Sequence, residues 1–211
     1  MYDTKHFKAA DEGEVLQYMQ AHPFVVVCGV GADGVPVASH IPVLIEERAG
    51  KIFLLGHFMR KQEHTQVFLQ NEAALVIFSG AHAYISASWY TDPQKVSTWN
   101  YQAVHVTGRL KFVGEAALYD LLVKLTRHFE GRDDSPALVP KMNEEYLRQN
   151  MKAIIGFEIE VTKLDHVFKL SQNRQQADFH KIVDQLSTGD SDSKTVAAKM
   201  DKLGGELFGR E

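Results

Sequence analysis

Three stretches of the chain combine residue types able to hold a phosphate or a planar ring. The first is Gly56-His57-Phe58-Met59-Arg60-Lys61, at the end of an apolar run. A strand that runs into a helix start carrying Arg and Lys makes a phosphate cradle: the helix supplies free N–H groups and Arg60 a two-pronged donor. The other reading of Arg60 and Lys61 is a pair of solvated charges at a surface turn. The second stretch is His82-Ala83-Tyr84-Ile85-Ser86-Ala87-Ser88-Trp89-Tyr90, with Thr98-Trp99-Asn100-Tyr101 after it. Both tryptophans of the chain and three of its seven tyrosines fall here. Such a cluster walls a planar ring, forms an interface, or fills the core of a hairpin. The third, Lys169-Leu170-Ser171-Gln172-Asn173-Arg174, is polar and follows a strand, where the chain turns and offers side chains to a pocket.

Other chemistry is harder to find. The chain has no G-x-G-x-x-G, no P-loop, no G-x-S-x-G and no H-E-x-x-H. Its ten histidines fit no metal-ligand spacing, so no metal site is expected. His64 reads as a residue of a polar helix, and His40 and His57 as strand-end residues. The single cysteine, Cys28, lies in the run Phe24-Val25-Val26-Val27-Cys28 and reads as a small buried hydrophobe. With no intrachain disulfide to make, the chain suits a reducing compartment. The opening Met1-Tyr2-Asp3-Thr4-Lys5-His6-Phe7 lacks the basic-then-apolar pattern of a signal peptide. No apolar stretch approaches the roughly 20 residues that cross a bilayer. A cytoplasmic protein with no membrane partner is the expectation. Lys plus Arg is 23 and Asp plus Glu is 27, a net charge of −4. That balance lacks the footprint of a strong nucleic-acid binder, although it leaves room for a local basic patch.

The elements that must position these residues read mainly as strands. A short helix over 11–21 precedes Pro23. Strands follow over Phe24–Val30, Val35–Ile45 and Lys51–His57, joined by turns at Gly31–Gly34 and Glu46–Gly50; three strands with short turns predict a meander. Residues 58–71 read as a helix or helical turn, 73–79 as a buried strand, 83–90 as a further strand, and 91–98 as a loop. Val104, Val106, Gly108, Leu110 and Phe112 alternate with polar residues and predict a strand with one dry face. Leu118, Leu121, Leu122, Leu125 and Phe129 give a helix over 115–130, ended by Gly131. A helix over 142–153, a strand at 157–162 extended through 167–170, and a helix around 179–186 complete the domain. Residues 187–211 form a polar linker and a last helix, outside a main domain of 1–186. About seven strands without βαβ alternation predict an antiparallel β-barrel with accessory helices.

Several segments together resemble a known family. They are Ala38-Ser39-His40-Ile41-Pro42, Gly56-His57-Phe58, His82-Ala83-Tyr84-Ile85-Ser86, Ser88-Trp89-Tyr90, Thr98-Trp99-Asn100-Tyr101 with Ala103-Val104-His105, Gly156-Phe157 and Lys169 to Arg174. In order and spacing they are similar to the PaiB-type family of FMN-binding negative transcriptional regulators, over residues 1 to about 186, with Met1-Tyr2 and Phe7 similar too. The resemblance implies an FMN-binding split barrel like that of pyridoxamine-phosphate oxidases, a homodimer with FMN at the subunit interface. By analogy Ser39, His40, Ile41 and Pro42 run beside the flavin ring and ribityl chain. His57, Arg60 and Lys61 lie at the phosphate, and Tyr84, Trp99 and Asn100 complete the cofactor residues. The family name implies gene repression, with DNA a possible partner. Two other functions compete: a flavin-dependent oxidoreductase, with His40, His82, His105 or Tyr84 as proton donor, and a haem-binding split barrel with His40 or His105 as axial ligand.

Overall fold

The computed structural model describes residues 4–92 and 94–209. Met1-Tyr2 of the family resemblance, and Pro93 of the expected loop, lie outside the described residues. Helix α1 (Glu12–Ala21) is fixed at its start by a reciprocal pair of bonds. The Glu14 N–H donates to Asp11 Oδ1 at 2.9 Å, and the Ala10 N–H to Glu14 Oε2 at 2.7 Å. Strand β1 (Phe24–Val30) then pairs antiparallel with β2 (Pro36–Pro42), from Val30 opposite Pro36 to Phe24 opposite Pro42. Gly34, at φ 79°, allows the tight connection between them.

The single strand expected over Val35–Ile45 is broken. Pro42 has no N–H to donate, and Val43 turns out of the ladder to donate its own N–H to Pro23 O at 2.9 Å. Leu44 opens a new strand, β3 (Leu44–Arg48), which takes in residues expected to form a turn. Arg48 holds them extended, pairing with Glu46 and Glu158 at 2.9 Å each. The turn itself is Ala49-Gly50, both at positive φ, before β4 (Lys51–Met59).

Helix α2 (Glu63–Gln70) begins five residues later than the helical stretch expected from Phe58, because Phe58 and Met59 belong to β4. Three long strands follow: β5 (Ala73–Ile85), β6 (Thr98–Phe112) and β7 (Ile154–Lys169). The first absorbs part of the separate strand expected at 83–90, the remainder of which forms a single 3₁₀ turn at Ala87–Trp89. Helices α3 (Glu115–Glu130) and α4 (Glu144–Ala153) separate β6 from β7, and α5 (Gln176–Ser187) and α6 (Ser191–Leu207) close the chain.

The strands hydrogen-bond in the order β2-β1-β5-β6-β7-β4-β3. The expected meander of the first three strands does not form: hairpins β1–β2 and β3–β4 stand at opposite ends of that order. The bend at Val43 sends β3–β4 away from β1. β4 pairs instead with β7, Gly56 opposite Phe157, where a Cβ on Gly56 would lie 2.6 Å from the Phe157 ring. The same missing Cβ lets Pro42 O of β2 approach, at 3.3 Å from where it would stand. Among the described residues no ladder joins β2 to β4, so the curled antiparallel sheet meets itself there without closing. This is a split barrel with accessory helices.

The chain divides into two compact units. One comprises Gln20–Phe78 with His105–Leu164. Its core holds Phe58, stacked on Phe68 and Phe157 with centroids 5.7 and 4.6 Å away, while α3 and α4 cover Leu55 with Leu118, Leu121, Leu125 and Met151. The other comprises Met1–Met19, Ser79–Val104 and Asp165–Glu211. Ile85, Phe179, Ile182 and Met200 are fully buried in it, Met200 coming from α6.

Candidate functional site

In the first unit, β2 stands at one end of the strand order and, among the described residues, its ladder is with β1, which leaves its other edge of N–H and C=O groups outside any ladder. Its residues alternate. Val37, Ser39 and Ile41 are half-buried, whereas Ala38 and His40 are exposed. The His40 ring stands 6.3 Å from that of Phe24, itself 63% exposed. Ser39 Oγ lies 2.7 Å from His64 Nδ1 in α2. The His64 ring leans on Phe58 at 4.4 Å, and its Nε2 is buried without a hydrogen-bond partner. Burial lowers the His64 pKa, with neighbouring Glu63 pulling the other way.

At the end of β4 the picture is different. By strand alternation His57 shares a face with Leu55, the side covered by α3 and α4, and not with Phe58. Its Nδ1 is buried without a partner, and burial lowers its pKa. Arg60 satisfies the carbonyl end of α4. Its main-chain N–H donates to Ala153 O at 2.8 Å, its Nε to Lys152 O at 3.2 Å and an Nη to Ile154 O at 2.7 Å. Those two side-chain bonds use two of the five guanidinium N–H groups. Lys61 is exposed, and Gln62 at the head of α2 makes no side-chain cap.

The second unit carries the aromatic cluster on one face of β5 and β6. Trp99 lies between His82 and Tyr84, with centroids 5.7 and 5.6 Å away, and both Tyr84 and Trp99 are about half exposed. His82 also approaches Asp192 at 3.8 Å. Asn100, next to Trp99, points the other way and is fully buried, its amide donating to Ser171 Oγ at 2.9 Å and Met200 Sδ at 3.3 Å. The polar stretch from Lys169 closes on itself. Lys169 donates to Thr98 Oγ1, and the Gln172 side chain spans Leu170 N and Phe168 O at 2.7 and 2.6 Å. Arg174 sits 4.5 Å above the Tyr90 ring. The sequence motifs Thr98–Tyr101 and Lys169–Arg174 therefore meet in a self-satisfied turn.

The structure thus brings Ser39 against His64, a contact sequence reasoning missed: the two are 25 residues apart and no spacing pattern links them. It places Ser39 and His40 on opposite faces of one strand. Among the described residues no three His, Cys, Asp or Glu side chains gather as a metal site, and no helix is long and apolar enough to cross a membrane.

Residues 1–163 match the family model described as "Putative FMN-binding domain". The chain belongs to this FMN-binding family. A curated relative is 34% identical over 205 residues, covering 96% of this chain and 98% of its own: the "Protease synthase and sporulation protein PAI 2" of Bacillus subtilis. Two solved structures share the fold at low identity. One is the FAD and heme binding protein from Mycobacterium smegmatis, with TM-score 0.57 and 16% identity over 76% of this chain and 72% of that one. The other is the conserved hypothetical protein Rv2991 from Mycobacterium tuberculosis, with TM-score 0.56 and 14% identity over 80% and 90%. The family assigns FMN as the cofactor of this chain.

Proposed function

We propose that this FMN-binding protein is a cytoplasmic, homodimeric regulator of the PaiB type. The regulatory reading is carried by the near full-length similarity to the Bacillus subtilis protein, whose name ties it to protease synthesis and sporulation. The groups along β2 and at the β4–α2 junction fit FMN. The pyrimidine edge of a flavin needs both donors and acceptors, and the free edge of β2 offers both, with Ser39 beside it. The phosphate takes the remaining N–H groups of Arg60, the Lys61 ammonium and the uncapped head of α2. When bound, FMN supplies one- or two-electron redox chemistry. The chain's own part is to fix Arg60 against the end of α4, so that a phosphate meets an already oriented guanidinium. Exposed Phe24, beside His40, is surface for a second copy to cover.

Direct contact with DNA is weak in this reading. Helices α5 and α6 are joined by a three-residue turn containing Gly189, but α6 carries Lys194, Lys199 and Lys202 against Asp192, Asp201 and Glu206. A helix with balanced charge supplies little phosphate attraction. Selection from random duplexes at low salt, followed by anisotropy across a salt series, tests this. Weak binding that vanishes with salt agrees with the reading, whereas salt-resistant recognition of one sequence sinks it.

A second reading, flavin-dependent oxidoreductase, is favoured by His40, exposed on β2 where it reaches solvent and solute alike. Sustained turnover with NAD(P)H and an electron acceptor would select that reading over the regulatory one.

A further inference from the structure

The side chain of Ser39 on β2 has a half-buried histidine behind it. His64 approaches it from α2 at 2.7 Å, held by the Phe58 ring at 4.4 Å. The other imidazole nitrogen, Nε2, is buried and has no partner. Of the two neutral forms, the one with the proton on Nε2 would leave an N–H donor buried and unpaired. The one with the proton on Nδ1 leaves only a lone pair there. The partners thus favour Nδ1–H donating to Ser39 Oγ. A hydroxyl that already accepts from an imidazole keeps its own O–H free to donate to another group.

Resting on the placement of FMN along β2, we propose that His64 is a positioning residue: it locks the Ser39 hydroxyl as a donor toward an oxygen of the bound FMN. His64 itself touches no cofactor atom. It acts through one hydrogen bond, and its packing on Phe58 keeps that bond in place. The class of group Ser39 takes follows from this arrangement. The hydroxyl proton goes to an acceptor, such as a flavin carbonyl, a ribityl hydroxyl or a phosphate oxygen.

The test is FMN titration, read by fluorescence quenching, of the wild-type protein, Ser39→Ala, His64→Ala, the double variant and His64→Asn. The Asn carboxamide sets an N–H near the place of Nδ1. Each alanine variant should raise the Kd on the order of tenfold, the loss of one hydrogen bond. The double variant should bind no worse than either single one, since His64 works through Ser39. His64→Asn should restore affinity to within about twofold of wild type, the bond being remade. Additive losses, undiminished binding by His64→Ala, or failure of His64→Asn to rescue would each overturn the proposal. Should His64→Ala not fold, His64→Asn alone decides: wild-type affinity supports the proposal and lost affinity overturns it. A wild-type protein that quenches no FMN removes the cofactor reading itself, and the proposal with it, a result distinct from failure of the variants alone.

Discussion

Asn100 and Ser171 hydrogen-bond to each other in both directions, Asn100 Nδ2 to Ser171 Oγ at 2.9 Å and Ser171 Oγ to Asn100 Oδ1 at 3.1 Å. Both are buried, and Ser171 sits at φ 62°, a conformation that costs a non-glycine residue energy unless its surroundings impose it. The pair fastens the turn after β7 to the start of β6. Asn100→Ala leaves the Ser171 hydroxyl unpaired, at a cost of about 1–3 kcal/mol. The expected outcome is a lower urea midpoint with FMN affinity of the folded protein unchanged. A change in affinity without loss of stability would make Asn100 a cofactor residue instead.

Removing residues 188–211 should abolish folding of the second unit. Val196, Ala197 and Met200 of α6 are buried against Phe179, Ile182 and Leu186, and α6 approaches so closely that a Cβ on Gly204 would lie 3.0 Å from the Phe179 ring. Truncation exposes that apolar face of α5. Insoluble protein, or protein without a cooperative melt, is the expected result. A soluble fragment with an unchanged Tm would show that the tail is an independent appendage.

Acid should destabilise the protein through its partly buried imidazoles. Burial lowers the folded-state pKa of His57, His64 and His166 below the unfolded value of roughly 6.5. Between those values the unfolded chain binds more protons, so stability falls as the pH drops from about 6.5, until the folded-state values are passed. Tm measured without cofactor should fall from pH 7 to pH 5, and His57→Gln should flatten the slope. An unchanged slope would remove His57 from the account.

Much of the framework was legible because it is written in local periodicity. α3 occupies 115–130 as its leucine spacing predicts, and Gly131 ends it at φ 65°. Phe129, on the same predicted stripe, is 52% exposed in the last turn of the helix. What stayed hidden depends on partners far along the chain. β6 begins at Thr98, six residues before the strand that the alternation from Val104 predicts, and the Asn100 amide there finds Ser171 71 residues on. The Ser39–His64 contact carries no periodic signal. The double role of Arg60, at α4 and at the proposed phosphate site, is equally invisible until Lys152 and Ile154 arrive beside it.

An FMN site with its phosphate at Arg60 and Lys61 should reveal itself on titrating the protein with FMN and with riboflavin, which lacks the phosphate. One flavin per chain should bind, with FMN clearly preferred. Arg60→Ala should weaken FMN by roughly 1.5–3 kcal/mol while leaving riboflavin nearly untouched. Equal affinity for both flavins, or an Arg60→Ala effect of the same size on each, would contradict the placement of the phosphate, and no binding of either would contradict the site itself.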